Sequence, residues 1–176
     1  MTDLRLLAAL PATGEAGMVA NDCERTEAAL GVAFPSAFMR FLDVFGGAKF
    51  DDFLRVYRAG ADNENVDLVS RTKEVGEKFF EIRPHIRELL AQRGVHPAQL
   101  VRWGGTDNAD ACFLIPHPDP RRWAVLVVEG RDNDYDLFEG PVESYLLRIL
   151  RGDLVGDVFP DDFPDESPSY ERNPHI

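Results

Sequence analysis

Apolar residues recur at helical spacing through the first half of the chain and as short runs between polar turns in the second. Leu4, Leu7 and Leu10 share one helical face, with Leu6 beside them, until Pro11 and Gly14 break the pattern. Asn21 or Asp22 can cap a helix from Cys23 to Leu30, and Gly31 stops it by taking the left-handed conformation. A second helix starts at Pro35 and Ser36. Phe38, Phe41, Leu42 and Phe45 fall there at i, i+3, i+4 and i+7, one apolar stripe facing a core, and Gly46 and Gly47 end it. Residues 53–57 alternate Phe53, Arg55 and Tyr57 against Leu54 and Val56, the pattern of a half-buried strand. After a polar turn at 59–65, Val66 to Val69 reads as a second short strand. Ser70 then caps a longer helical region carrying Val75, Phe79, Ile82, Ile86, Leu89 and Leu90. Pro84 lies inside it, so a kink or two abutting helices are expected before Gly94.

The remainder is strand-rich. Apolar runs at 100–103, 111–115, 123–129 and 135–138 are separated by turn clusters at 104–110, 116–122 and 130–134. This spacing predicts antiparallel hairpins and not βαβ units. Pro141 opens a last helix whose stripe is Val142, Tyr145, Leu146, Ile149 and Leu150, closed by Gly152. Residues 157–176 are Pro- and Asp-rich and lack periodicity, which predicts an extended or disordered acidic tail, with Val158, Phe159 and Phe163 able to tack it to the surface. The expected architecture is therefore an α+β domain over 1–156, its core about 22–152, followed by a tail over 157–176. No internal repeat or domain linker is visible.

Charge narrows the function classes. The net charge is −12 over 176 residues. Such a surface repels the phosphate backbone and anionic membranes, so neither nucleic acid nor membrane is expected as a partner. It suits capture of a basic protein, and it also serves solubility alone. No stretch approaches the ~18 apolar residues of a membrane span, and the first residues make a poor signal peptide, so a cytoplasmic location is expected. Cys23 and Cys112 form no CxxC pair. They read as reduced thiols acting as small hydrophobes, although spacing alone does not exclude one disulfide.

Catalytic patterns are not found. There is no Gly-rich phosphate loop and no GxSxG elbow. His85, His96, His117 and His175 are scattered, without the i, i+4 pairing of a zinc site. The run from Asp132 to Asp136 resembles the start of a calcium loop with Glu143 at the twelfth place, but Leu137 stands where glycine is needed. No cofactor or metal is expected. What remains is a set of acids on the hairpin turns, Asp107, Asp110, Asp132, Asp134 and Asp136. If the turns gather on one side they make a negative rim, with Tyr135, and also Trp103 and Phe138 unless these are core, as aromatic anchors.

One stretch carries a family likeness. Glu27 to Phe38, with Leu30-Gly31 and Phe34-Pro35, running on through Phe41-Leu42 to Phe45-Gly46-Gly47, resembles the opening of the SUKH superfamily. That superfamily comprises bacterial toxin-immunity domains and the yeast cell-wall-synthesis regulators. A strand at Val101 to Trp103, a turn at Gly105 to Asn108 with Asp110, and a strand at Cys112 to Ile115 are similar to its later part, as is the helix pattern from Tyr145 to Gly152. Phe38 stands where the family commonly has Tyr, and the helical stretch 70–93 is long for it. The resemblance implies a bent, mostly antiparallel sheet with helices packed around it. It implies a non-enzymatic protein that binds and neutralises a cognate toxin, such as a nuclease with a basic surface, and the family offers no catalytic residues to transfer. The other expectations are an intracellular scaffold or regulatory module without a toxin partner, and an enzyme built on Asp107, Asp110 and His117.

Overall fold

The computed structural model describes residues 2–14 and 20–172. Helix α1 (Asp3–Leu7) is followed by β1 (Ala12–Gly14), α2 (Cys23–Leu30), α3 (Ser36–Phe45), β2 (Lys49–Phe50) and β3 (Leu54–Val56). Three helices come next, α4 (Leu68–Glu74), α5 (Glu77–Glu81) and α6 (Pro84–Gln92). Then follow β4 (Val101–Thr106), β5 (Ala111–Ile115), β6 (Ala124–Val128), β7 (Tyr135–Phe138), α7 (Val142–Leu150) and β8 (Tyr170–Arg172). The strands form one open sheet in the order β1-β8-β2-β3-β4-β5-β6-β7. Every pairing is antiparallel except β1 with β8. The fold is α+β, as the alternation of helical stripes and hairpin spacing predicts.

Both faces of the sheet are covered, which explains the unbroken apolar runs of its centre. Along β5 and β6, Cys112, Leu114, Val125 and Val127 join a core with Leu7, Phe38, Phe41, Phe45, Trp103, Tyr145 and Leu146. Their neighbours Ala111, Phe113, Ile115, Ala124, Leu126 and Val128 join a second core with Phe80, Ile86 and Leu90. A period-2 strand buried on both sides cannot carry polar residues on either face, so alternation disappears from the sequence. Trp103 is fully buried.

The segment that carries the likeness is a connected capping unit. Asp22 caps α2 by accepting from the Arg25 N–H at 3.1 Å, and Gly31 ends it at φ 69°. The Glu27 carboxylate reaches past that turn to the Phe34 N–H at 2.5 Å, fixing the approach to α3. Asn21 is not the cap; it donates to the Leu42 carbonyl at 2.7 Å and accepts from the Ala59 N–H at 3.2 Å.

Three expectations are corrected. Val66 to Val69 forms no strand: the Asp67 carboxylate, not Ser70, caps α4, accepting from the Ser70 N–H at 2.8 Å and its hydroxyl at 2.9 Å. Gly104 and Gly105 lie within β4 and not in the following turn. A Cβ at Gly104 would stand 2.7 Å from the Arg55 carbonyl oxygen, so close backbone approach explains that glycine, while one at Gly105 would meet the Tyr57 hydroxyl at 2.6 Å and the Asp110 carbonyl oxygen at 3.1 Å. Residues 157–172 are no loose tail. Val158, Phe159, Phe163 and Tyr170 are buried, and β8 lies inside the sheet between β1 and β2. Pro84 separates abutting helices, as its missing N–H predicts, and is the first residue of α6.

Candidate functional site

The strand register places three hairpin turns at the same end of the sheet. Leu54 at the start of β3 pairs with Thr106 at the end of β4, and Ala111 at the start of β5 pairs with Val128 at the end of β6. The β2–β3 turn (51–53), the β4–β5 turn (107–110) and the β6–β7 turn (129–134) are therefore neighbours. Together they bring Asp52, Asp107, Glu129, Asp132 and Asp134 to one edge of the molecule, with Lys49 and Arg131 among them.

Lys49 shows what this edge holds. Its ammonium donates to Asp52 Oδ1 at 2.7 Å and to Asp107 Oδ2 at 3.1 Å. Partial burial opposes the lysine charge, but the two hydrogen bonds and the two negative charges outweigh it and raise its pKa. Asp52, fully exposed, is lowered in turn, first by the hydrogen bond from Lys49. Across the edge, the Glu129 carboxyl is raised by slight desolvation and then by repulsion from Asp132, Asp134 and Asp110. This is an acidic end only partly neutralised by its own cations.

The expected binding residues divide by burial. Asp107, Asp132 and Asp134 are exposed at the turns. Asp110 is not available: only 1% of it is exposed. Its carboxylate accepts from the Thr106 hydroxyl at 2.6 Å and from the Gly130 N–H at 3.0 Å, tying two turns together. Asp136 is also turned inward. Its oxygens accept from the Asp157 and Val158 N–H groups at 2.8 and 3.3 Å, holding the C-terminal segment, while burial raises its pKa against those bonds. Tyr135 is half-buried beside the edge and stacks on His85 with ring centroids 5.7 Å apart. Trp103 and Phe138 are not anchors: Trp103 is core, and Phe138 packs on Tyr145 with centroids 5.7 Å apart.

Sequence reasoning missed Asp52, Lys49 and Glu129. Adjacent aspartates are common in an acidic chain, and β2 has only two residues, too few to show alternation. The usable signal was Phe50-Asp51-Asp52-Phe53, two turn-forming residues between two aromatics.

The enzymatic constellation does not assemble. Asp107 and Asp110 precede β5 while His117 follows it, so they lie at opposite ends of a five-residue strand. The His117 ring instead accepts from the Asp119 N–H at 2.9 Å, and its carbonyl accepts from the Trp123 indole at 2.9 Å. His175 lies outside the described residues. Both cysteines are free thiols. Burial, with Asp110 adding to it, pushes the Cys112 pKa far up, leaving a poor nucleophile. Among the described residues no cluster of His, Cys, Asp or Glu could hold a metal ion, and no helix is long and apolar enough to cross a membrane. No family model, no curated protein and no solved structure matches the chain.

Proposed function

We propose that this chain is a non-enzymatic binding protein that docks a basic protein on the acidic end of its sheet, and that it serves as an immunity protein neutralising a cognate bacterial toxin. The observation that supports a docking role is the convergence of Asp52, Asp107, Glu129, Asp132 and Asp134 on three adjacent turns, with Lys49 between two of the carboxylates. That lysine models the contact a partner would make, one ammonium between two acids. An acidic edge can occupy the surface that a nuclease offers to its nucleic acid, and it speeds encounter through long-range attraction. The toxin assignment rests on the likeness of Glu27 to Gly47 to the SUKH opening, whose Glu27, Gly31 and Pro35 form a working turn between α2 and α3.

The test is co-expression with the product of the adjacent open reading frame, read by pull-down and by rescue of growth. Binding with rescue is expected. Charge reversal of Asp107, Asp132 and Asp134 to Lys should slow association roughly tenfold or more. Glu139→Lys at the far end of β7, compared with any one of these reversals made singly, should leave it nearly unchanged. Binding without rescue moves the reading to a scaffold or regulatory module. Equal effects of the two kinds of reversal would exclude the acidic edge as the docking face.

A further inference from the structure

The sheet ends on one side at β7, and the outer side of that strand is open to pairing. The Glu129 N–H donates to the Asp134 carbonyl at 3.0 Å, and the register runs on without a shift from Val128 opposite Tyr135 to Val125 opposite Phe138. In an antiparallel ladder alternate residues turn their N–H and C=O groups toward the neighbouring strand. Asp134, Asp136 and Phe138 therefore face β6, while Tyr135 and Leu137 turn theirs outward. His85 Nε2 donates to the Asn133 carbonyl at 2.7 Å, closing the outer side just before the strand. Among the described residues no hydrogen bond reaches the outward groups of Tyr135 and Leu137.

The side chains of this strand say what would pair with it. β5 and β6 are buried throughout, whereas every residue of β7 is half-buried. Tyr135 and Leu137 pack at the margin of the second core, and by alternation Asp134 and Asp136 lie on the other face. Side chains of neighbouring strands meet on each face, so an added strand would find acids on one side and apolar surface on the other. Acids on an edge strand guard against unwanted pairing, and here they guard selectively. An antiparallel second copy would set Asp134 and Asp136 beside the same acids, in a chain of net charge −12. A basic strand meets no such repulsion. Glu139, just beyond the strand, is already paired with Arg93. At the other margin of the sheet β1 has only three residues, all exposed, and offers no comparable pattern.

We propose that the outer side of β7 is a strand-addition site for an extended segment of the basic partner, one in which basic and apolar residues alternate. The apolar residues lie beside Tyr135 and Leu137 and exchange backbone hydrogen bonds with them. The basic residues lie beside Asp134 and Asp136. Backbone pairing supplies the affinity of such contacts and the alternate side chains their specificity. This inference rests on the docking reading given above, and it names the part of the partner that the acidic end receives.

The probe is an acetylated, amidated peptide of alternating lysine and valine, titrated into the whole protein and followed by amide hydrogen exchange read by nuclear magnetic resonance. In the free protein the Tyr135 and Leu137 amides should exchange fast and the Asp136 amide, bonded to β6, slowly. Saturating peptide should slow exchange at Tyr135 and Leu137 roughly tenfold or more and leave Asp136 nearly unchanged. The same peptide N-methylated at its valines keeps its charge but loses the donors that face β7, and should bind roughly tenfold or more weakly. Leu137→Pro removes one outward N–H and none that faces β6, and should weaken the unmodified peptide as much. If that variant proves unfolded by circular dichroism, the comparison of the two peptides on the parent protein decides alone. Equal binding by the two peptides would overturn strand addition and leave the acidic turns as a docking face. No saturable binding, or no protection of the two amides, would overturn it as well. Protection of Tyr135 and Leu137 that rises with protein concentration in the absence of peptide would assign this side to a second copy and overturn the proposal. The docking reading fails separately, when reversal of Asp107, Asp132 and Asp134 leaves association with the natural partner unchanged.

Discussion

At the scale of single residues, this chain uses acids in two opposite ways, and Asp51 and Asp52 show both. They occupy the β2–β3 turn in left-handed backbone, φ 45° and 49°, where glycine or asparagine is the usual choice. Asp51 is held there by bonds across the molecule: its carboxylate accepts from the Ser169 N–H at 2.6 Å and from the Asp165 N–H at 3.2 Å. Asp52 points outward to Lys49. Asp51→Ala should therefore cost roughly 2–3 kcal/mol, the loss of charged hydrogen bonds added to a strained turn. Asp51→Asn, which tolerates the left-handed region and keeps one acceptor oxygen, should cost about 1 kcal/mol. Urea denaturation checks the pair, and equal losses would show that the carboxylate does not clamp the turn. This division was not legible in the sequence. Asp132, Asp134 and Asp136 alternate identically, yet Asp136 alone is turned inward, because its donors, Asp157 and Val158, lie more than twenty positions later.

At the scale of elements, legibility follows from the length of the pattern. The stripes of α3 and α7 repeat over two turns or more, so their buried residues, Phe38, Phe41, Leu42 and Phe45, and Tyr145, Leu146, Ile149 and Leu150, were readable. β8 was not, because it has three residues and sits among prolines and aspartates, whose composition alone argues disorder. What holds it is packing between distant parts of the chain. The Tyr170 ring lies 5.2 Å from that of Phe45 and 5.5 Å from that of Phe50, and Phe163 lies 4.9 Å from Phe53. Four large apolar residues in this short segment were the signal that composition masked. Tyr170→Ala should destabilise the protein by about 3–5 kcal/mol, as for other buried aromatic truncations. Truncation after Gly156 should abolish cooperative unfolding, read by near-ultraviolet circular dichroism. A truncated chain that unfolded like the parent would return residues 157–172 to the status of a tail.

At the scale of the molecule, the net charge of −12 and the inward acids act on stability in the same direction. Asp51, Asp136 and Glu143 have raised pKa values, burial being the main cause in each. Glu129 is raised as well, by slight burial and then by Asp132, Asp134 and Asp110. A carboxyl with a higher pKa folded than unfolded binds its proton more tightly in the native state. Its contribution is full below the ordinary carboxyl range and is lost as pH rises through the folded value. Asp52 and Asp119 are lowered, by hydrogen bonds from Lys49 and Arg121. Their contribution runs the other way and is lost only as pH falls through their depressed values, in strong acid. Between these limits acidification protonates the strained acids first and relieves self-repulsion. The melting temperature of the isolated protein should therefore rise by a few degrees as pH is lowered from neutral into the ordinary carboxyl range, followed by calorimetry. Asp132→Asn with Asp134→Asn should flatten part of this rise, because the repulsion on Glu129 is removed. A basic partner seated on the acidic edge should flatten it in the same way, by supplying the charge that protons otherwise supply. A melting temperature that fell over this range would show that the turn acids are neutralised within the chain, and that the edge holds no unspent attraction for a cationic surface.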